Sequence, residues 1–275
     1  MLVSLIYVAL GLIIALVGKK VIDMVTPYDD NYEIEEGSNL AVGFSKFGLY
    51  AGLLIAICGP VLANVSDSFS LDLVKWMVIE GVLVIVMFII SSFVTDKVIL
   101  PGLNNSLEVE QGNVAVGIIE MSVFLATGLI GFASFSGGEG PTIAGPVFFL
   151  LGQVALVICA KLFELFTPFS IAEEIRGNNA SAAVLVGGVL VSLSLILRSS
   201  ISGEFVDWSS DLLGFGKYTL LGMALLLAVY KIVDWTFLPN TNMKTEIRRD
   251  KNTAASLLMC GVMVGVAILL SLAVV

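Results

Sequence analysis

Three ionisable side chains, Lys46, Glu80 and Glu120, lie inside long apolar stretches of the sequence. Ionisable groups within a membrane are costly and commonly serve transport, proton transfer or gating, so these three are the first candidates for chemistry. Lys46 and Glu120 each stand seven residues after an asparagine, Asn39 and Asn113. This spacing puts both about 10 Å along a helix. It predicts either an ion pair between packed helices or a gating or proton-linked role.

Glu80 differs from this pair because the sequence offers it no obvious partner. One interpretation is a transport or gating role. A second is a residue that snorkels near the outer membrane face, with its carboxylate in water and its stem in lipid. A third is a partner for Lys75, reached across the helix.

The surrounding elements are predicted to be membrane helices. Of the 275 residues, 57% are hydrophobic and 13% are charged, whereas soluble domains carry about 25% charged residues. Crossing a bilayer as a helix takes roughly 20 apolar residues. Eight runs qualify, covering about 2–22, 40–63, 73–95, 114–134, 143–166, 180–197, 217–238 and 253–275. The fold class is therefore an all-α membrane protein with eight transmembrane helices.

An Asn-x-Ala motif recurs four times, and each copy opens an apolar run. The motifs begin at Asn39, Asn113, Asn178 and Asn252. Each asparagine is predicted to be the N-cap of its helix, accepting hydrogen bonds from backbone N–H groups that lipid cannot satisfy. The polar segment before it is the turn of a two-helix unit. Four such units form two four-helix halves, residues 1–138 and 139–275. Because each unit has two spans, all four point the same way, as parallel repeats.

Charged pairs and small residues recur with the same units. Lysine and acid stand three residues apart near helix ends, which predicts ion pairs at Lys20/Asp23, Lys161/Glu164 and Lys231/Asp234. Nine and thirteen residues after the asparagine, units one, two and four carry small residues, which let membrane helices approach closely. The third unit, counted from Asn178, loses this pattern at Val191. The second helices of the units are therefore expected to form the inner contact of the bundle.

The basic residues are unevenly divided between the two ends of the helices. Ten lie in the unit turns and adjoining helix ends, and three, Lys75, Arg198 and Lys217, lie on the opposite side. By the positive-inside rule the turns face the cytoplasm and both termini lie outside it.

Composition and motifs argue against several functions. The formal charge of −9 argues against nucleic acid as a partner. The chain has no histidine, and its three cysteines lie inside apolar runs, where packing is their ordinary role. The motifs of serine hydrolases, zinc proteases and phosphate-binding loops do not occur. We therefore expect no catalytic residue, cofactor or metal site.

Several segments carry a family resemblance. These are Ala-Leu-Gly at 9–11, Gly-Lys-Lys at 18–20, Thr-Pro-Tyr-Asp at 26–29, Ile-Glu-Glu-Gly-Ser-Asn-Leu-Ala-Val-Gly at 34–43 and Gln-Gly-Asn-Val-Ala-Val-Gly at 111–117. They resemble the YjfL-type bacterial inner-membrane family, a domain of unknown function, in two tandem copies of which the second is divergent. The resemblance implies an inner-membrane protein and a PspA-like, membrane-remodelling partner. It implies no catalytic residue.

Two functions remain open from the sequence. The first is a non-enzymatic membrane component that recruits or anchors a cytoplasmic partner. It is favoured by turns of different charge, acidic over 26–38 and basic over 240–251. The second is a channel or transporter for an ion or small solute, favoured by Lys46, Glu80 and Glu120. The lipid bilayer is the expected environment, and assembly into a homo-oligomer is left open.

Overall fold

The computed structural model describes residues 2–24, 26–66, 68–94, 99–100, 102–137, 141–167, 169–237, 241 and 243–273. Eight helices in these ranges are long and apolar enough to cross a membrane. This confirms the predicted class, an all-α protein with eight membrane-spanning helices. They are α1 (Leu2–Asp23), α3 (Leu40–Asn64), α4 (Leu71–Val94), α6 (Val114–Phe135), α7 (Ala144–Phe166), α9 (Ala180–Ile201), α10 (Trp208–Phe237) and α11 (Thr253–Ala273).

The four polar segments between paired helices are called turns 1 to 4, residues 26–38, 101–112, 168–178 and 240–251. Each contains a short helical segment that the sequence did not predict: α2 (Asp30–Glu35), α5 (Asn105–Glu110), α8 (Ile171–Arg176) and a π-helical turn at Thr245–Arg249. Each turn ends in a residue with left-handed backbone geometry, namely Ser38, Gly112, Asn178 and Lys251. This residue reverses the chain into the next long helix.

The long helices form two layers. The second helices of the four units, α3, α6, α9 and α11, pack side by side in chain order and form the inner layer. Of the first helices, α4, α7 and α10 each pack against the inner helix of their own unit and the inner helix of the preceding unit, whereas α1 packs against α3 and α4. The expectation that the second helices supply the inner contacts agrees with this packing.

The three contacts within the inner layer share one register. Gly48 of α3 packs on Met121 of α6, Ser122 of α6 on Gly187 of α9, and Gly188 of α9 on Cys260 of α11. Counted from the asparagine that caps each helix, the ninth residue of one helix meets the eighth residue of the next.

The start of α9 corrects the prediction for the third unit. Its N-cap is Asn179, not Asn178, because the Asn179 side chain accepts from the N–H groups of Ser181 and Ala182. Counted from Asn179, the ninth and thirteenth residues are Gly188 and Ser192. The expectation that this unit lacks the small-residue pattern was therefore wrong by one position.

The bounds of α10 are a second correction. The apolar runs predicted for this region end at 197 and resume at 217, but α9 continues to Ile201 and α10 begins at Trp208. The Asp207 carboxylate accepts from the N–H groups of Ser209 and Ser210, which is the hydrogen bonding of an N-cap. This cap starts the helix well before the apolar run begins.

Candidate functional site

The four turns lie together at one end of the bundle because asparagine side chains join them. The Asn39 amide donates to the carbonyls of Val109 (3.1 Å) and Glu110 (3.0 Å) in turn 2. Asn113 donates to the carbonyl of Ile175 in turn 3 at 3.2 Å, and Asn179 to that of Ile247 in turn 4 at 2.8 Å. Each turn is therefore fixed to the next by a hydrogen bond at a matching position.

The same asparagines also cap their own helices and bind their own turns. Asn39, Asn113 and Asn179 are N-caps, and the Asn252 side chain accepts from Ala254 and Ala255. Each amide also donates to a glutamate earlier in its own turn, namely Glu33, Glu108, Glu174 and Glu246. One side chain thus joins a helix start, its turn and, in the first three units, the following turn.

Asn178, predicted as a cap, has a different role. Its side-chain oxygen accepts from the backbone N–H of Ala115 at 3.1 Å, at the start of α6. It therefore adds a second link between the second and third units. The sequence could not separate the two candidate caps by this spacing, since Glu173 and Glu174 precede Asn178 and Asn179 by the same five residues.

Lys46 lies at the centre of a buried ionic cluster beneath turn 1. Its ammonium is 2.7 Å from the Asp30 carboxylate and 3.1 Å from that of Asp23, and its side chain is 4% exposed. The Thr26 hydroxyl lies 3.4 Å away. Helical side chains point back toward the helix N-terminus, which for α3 lies at the turn end. Lys46 therefore reaches polar groups at the turn instead of crossing to α6.

The predicted Lys46–Glu120 ion pair is wrong. Glu120 accepts a hydrogen bond from the Ser45 hydroxyl, so α3 and α6 are joined by a neutral donor.

Burial raises the pKa of Tyr28 in turn 1, and the nearby carboxylates of Glu120 and Asp30 raise it further. The Tyr28 hydroxyl is therefore neutral at physiological pH. Counted from the cap Asn179, the third-unit equivalent of Lys46 and Glu120 is Val186, which is apolar.

The predicted helix-end pairs have mixed outcomes. Lys161 lies 3.4 Å from Glu164, as the spacing suggests. Asp23 pairs with Lys19 at 2.9 Å and with Lys46, and no ion pair of the described residues joins it to Lys20.

The last of the predicted pairs is also replaced by other contacts. Asp234 accepts from the backbone N–H of Met243 at 2.9 Å, while the Lys231 ammonium lies over the Tyr230 ring, 5.4 Å from its centre. The Asp234 side chain thus stabilises turn 4 by accepting a hydrogen bond from the backbone of that turn.

Charge changes progressively along the row of turns. Turn 1 carries five carboxylates and no basic residue, turn 2 two carboxylates, turn 3 two carboxylates and one arginine, and turn 4 four basic residues and two carboxylates. Arg248 of turn 4 lies 3.4 Å from Glu174 of turn 3. Turns 3 and 4 are therefore joined by an ion pair as well as by Asn179.

Glu80 lies at the opposite end of the bundle, where it lines a cavity of about 610 Å³. Its carboxylate accepts from the side-chain amide of Asn64 at 2.8 Å. The Lys75 ammonium lies over the Trp76 ring, 6.0 Å from its centre. The partner of Glu80 is thus on the preceding helix. Asn64, the last residue of α3, was not predicted from the sequence as the partner of Glu80.

The interior beyond this cavity is densely packed. Next to the cavity, α3, α6, α7 and α9 contribute Ile57, Ile130, Phe149 and Leu197, each at most 3% exposed. Nearer the turns, Ile119 and Val123 of α6 are equally buried. Among the described residues no group of three or more Cys, Asp or Glu is arranged to hold a metal ion. The cavity has the volume and polar lining to hold a small solute, and the row of turns forms a fixed polar surface.

Comparison with known proteins identifies relatives of this chain. The model of the family described as Domain of Unknown Function (DUF350) matches twice, over residues 1–135 and 141–274. The UPF0719 transmembrane protein of Aquifex aeolicus (strain VF5) is 26% identical over 233 residues, 82% of this chain and 83% of that protein. The UPF0719 transmembrane protein YshE of Bacillus subtilis (strain 168) is 26% identical over 129 residues, 47% of this chain and 91% of that protein. No solved structure matches. The double match agrees with tandem copies, and the YjfL name stays a prediction.

Proposed function

This chain is a member of the DUF350 family, and we propose that it serves in the bacterial inner membrane as a non-enzymatic scaffold that recruits a cytoplasmic protein through its four turns. The observation that carries the proposal is the chain of asparagine hydrogen bonds from turn 1 to turn 4. A surface that is already ordered loses little conformational entropy when a partner binds, which favours affinity. The row of turns is such a surface.

Charge supports both the orientation and the kind of partner. Ten of the fourteen basic residues lie in the turns and adjoining helix ends, which favours the cytoplasmic side for the turns and the outside for both termini. The acidic turn 1 and basic turn 4 favour a partner with an equally polarised surface, since complementary potentials set orientation and specificity. A PspA-like membrane-remodelling protein is the class that the family resemblance implies.

Charge reversal in turn 1 tests the proposal. Glu35 and Glu36 are exposed and lie outside the Lys46 cluster, so Glu35→Lys with Glu36→Lys leaves the fold intact. We expect the doubly substituted protein, purified from native membranes, to retain about tenfold less of its cytoplasmic partner, as the loss of about 1.4 kcal/mol would give. Quantitative mass spectrometry of the co-purified proteins measures this.

The matched control reverses two exposed acids at the opposite end, Asp72→Lys with Glu204→Lys, and partner retention should be unchanged. If no co-purified protein depends on turn 1 or turn 4, the scaffold proposal fails. The second candidate function is a channel or transporter, and the cavity at Glu80 is the observation that supports it. It would be favoured if the purified protein conducted ions across liposome membranes and Glu80→Gln abolished that flux.

A further inference from the structure

The last inner helix, α11, has a face that is covered in every other inner helix. On α3, the ninth and thirteenth residues after the cap, Gly48 and Gly52, lie against the α6 backbone. The matching residues of α11 are Gly261 and Gly265, and a Cβ added at either would meet open space. Leu257, Ile268 and Leu272 share this face and are exposed.

The first inner helix, α3, has the complementary face open. On α6 this face consists of Gly117, Met121, Gly128 and Phe132, which all contact α3. The residues of α3 at the same distances from the cap are Gly43, Phe47, Leu54 and Cys58. Gly43 has open space around it, and the other three are exposed. The row of inner helices thus ends in two surfaces of the kind that pack together inside it.

The polar groups at the two ends of the row also differ from those inside it. The Asn252 amide donates to Glu246 of its own turn and is exposed. In the other units this amide also donates to a carbonyl of the following turn, whereas among the described residues the Asn252 amide makes no bond to another turn. The basic turn 4 lies at this end of the row, and the turn at the other end carries five carboxylates.

The occupant that fits both ends is a second copy of this chain. Lipid would cover the apolar residues of α11 but offers no backbone carbonyl to Asn252 and no match to the turn charges. We propose that copies associate head to tail, with α11 of one copy packing along α3 of the next, Gly261 on Phe47, and turn 4 beside turn 1. Such an interface is heterologous, so it adds copies in one direction. The Bacillus subtilis relative matches about half of this chain over nearly all of its own length. A shorter relative of this kind agrees with a unit that packs on further copies.

Disulfide crosslinking in native membranes tests this interface. Inside the row, the twentieth residue of α3, Gly59, lies against the nineteenth of α6, Phe132. The equivalent pair between copies is Leu272 and the native Cys58. Under copper-phenanthroline and air, Leu272→Cys is expected to give a ladder of dimers and larger species on non-reducing gels. Co-expression of Leu272→Cys/Cys58→Ser with a differently tagged native chain should give the mixed dimer.

The matched control is Leu213→Cys, which is exposed on α10 near the same end of the bundle. It should not crosslink to Cys58. Absence of the Leu272→Cys ladder, or an equal ladder from Leu213→Cys, would overturn the proposal and leave lipid as the occupant.

A steric variant gives an independent measurement. Gly261→Ile points into open space within one chain, so the chain still folds, but its side chain would meet Phe47 of the next copy. We expect it to reduce the Leu272→Cys ladder at least fivefold, whereas Gly216→Ile on α10, which also faces open space, leaves the ladder unchanged. An intact ladder in Gly261→Ile would count against the proposed register.

Discussion

Gly52→Ala is expected to destabilise the protein by about 3 kcal/mol, the upper end of the usual cost of overpacking a core. A Cβ at Gly52 would overlap the backbone carbonyl of Phe124 on α6. Backbone cannot rotate away as a side chain can, so α3 and α6 must separate. Because α6 also packs on α9, the change affects the whole inner layer. Unfolding in detergent, followed by thermal melting or by denaturant titration, measures the loss.

The control is Gly216→Ala, which makes the same chemical change in α10, where an added Cβ meets open space. It should be neutral or stabilise by up to about 1 kcal/mol, because alanine favours helix over glycine. Equal effects of the two substitutions would show that the inner helices are not in the close contact described.

Lys46→Met is expected to cost about 3–5 kcal/mol, the range for removing one partner from a buried ion pair. The substitution leaves Asp30 without its ammonium partner and Asp23 with Lys19 alone. Methionine keeps most of the volume, so the loss reports charge more than packing. Stability in detergent and the protease sensitivity of turn 1 both measure it, since the cluster fixes that turn to α3.

Lys161→Met is the comparison, because the Lys161–Glu164 pair is largely exposed and contributes less than about 1 kcal/mol. Adding Asp30→Asn to Lys46→Met should restore part of the stability by removing the uncompensated charge. If Lys46→Met is no more harmful than Lys161→Met, the cluster does not anchor turn 1.

Much of the fold follows from the sequence because a bilayer restricts the choices. Eight apolar runs become eight helices, and a capping asparagine stands directly before four of them, at Asn39, Asn113, Asn179 and Asn252. The error at Asn178 came from a doublet, Asn178-Asn179, in which each asparagine follows a glutamate by five residues, so only the hydrogen bonds of Asn179 identify the cap. The start of α10 was missed because polar residues and glycines interrupt the sequence between Asp207 and Lys217, and only the hydrogen bonds reveal the cap.

The candidate site was less predictable, because partners across space leave no mark on spacing. Lys46 and Glu120 match in depth, yet Lys46 reaches Asp30 in its own turn and Glu120 reaches Ser45. The cavity around Glu80 is formed by the ends of six helices distant in the chain, which no local pattern encodes. The links from Asn39 to Val109 and onward are equally invisible until the turns are side by side.

The central claim is that all four turns share one membrane face, the cytoplasmic one, and cysteine labelling tests it most directly. In a chain with the native cysteines replaced, single exposed cysteines are placed at Glu36, Gln111, Arg176 and Arg249 in the turns, and at Ser68 and Glu204 at the other end. We predict that a membrane-impermeant maleimide labels only the last two in intact spheroplasts and all six after permeabilisation. Labelling of some turns but not others in intact spheroplasts would contradict the account.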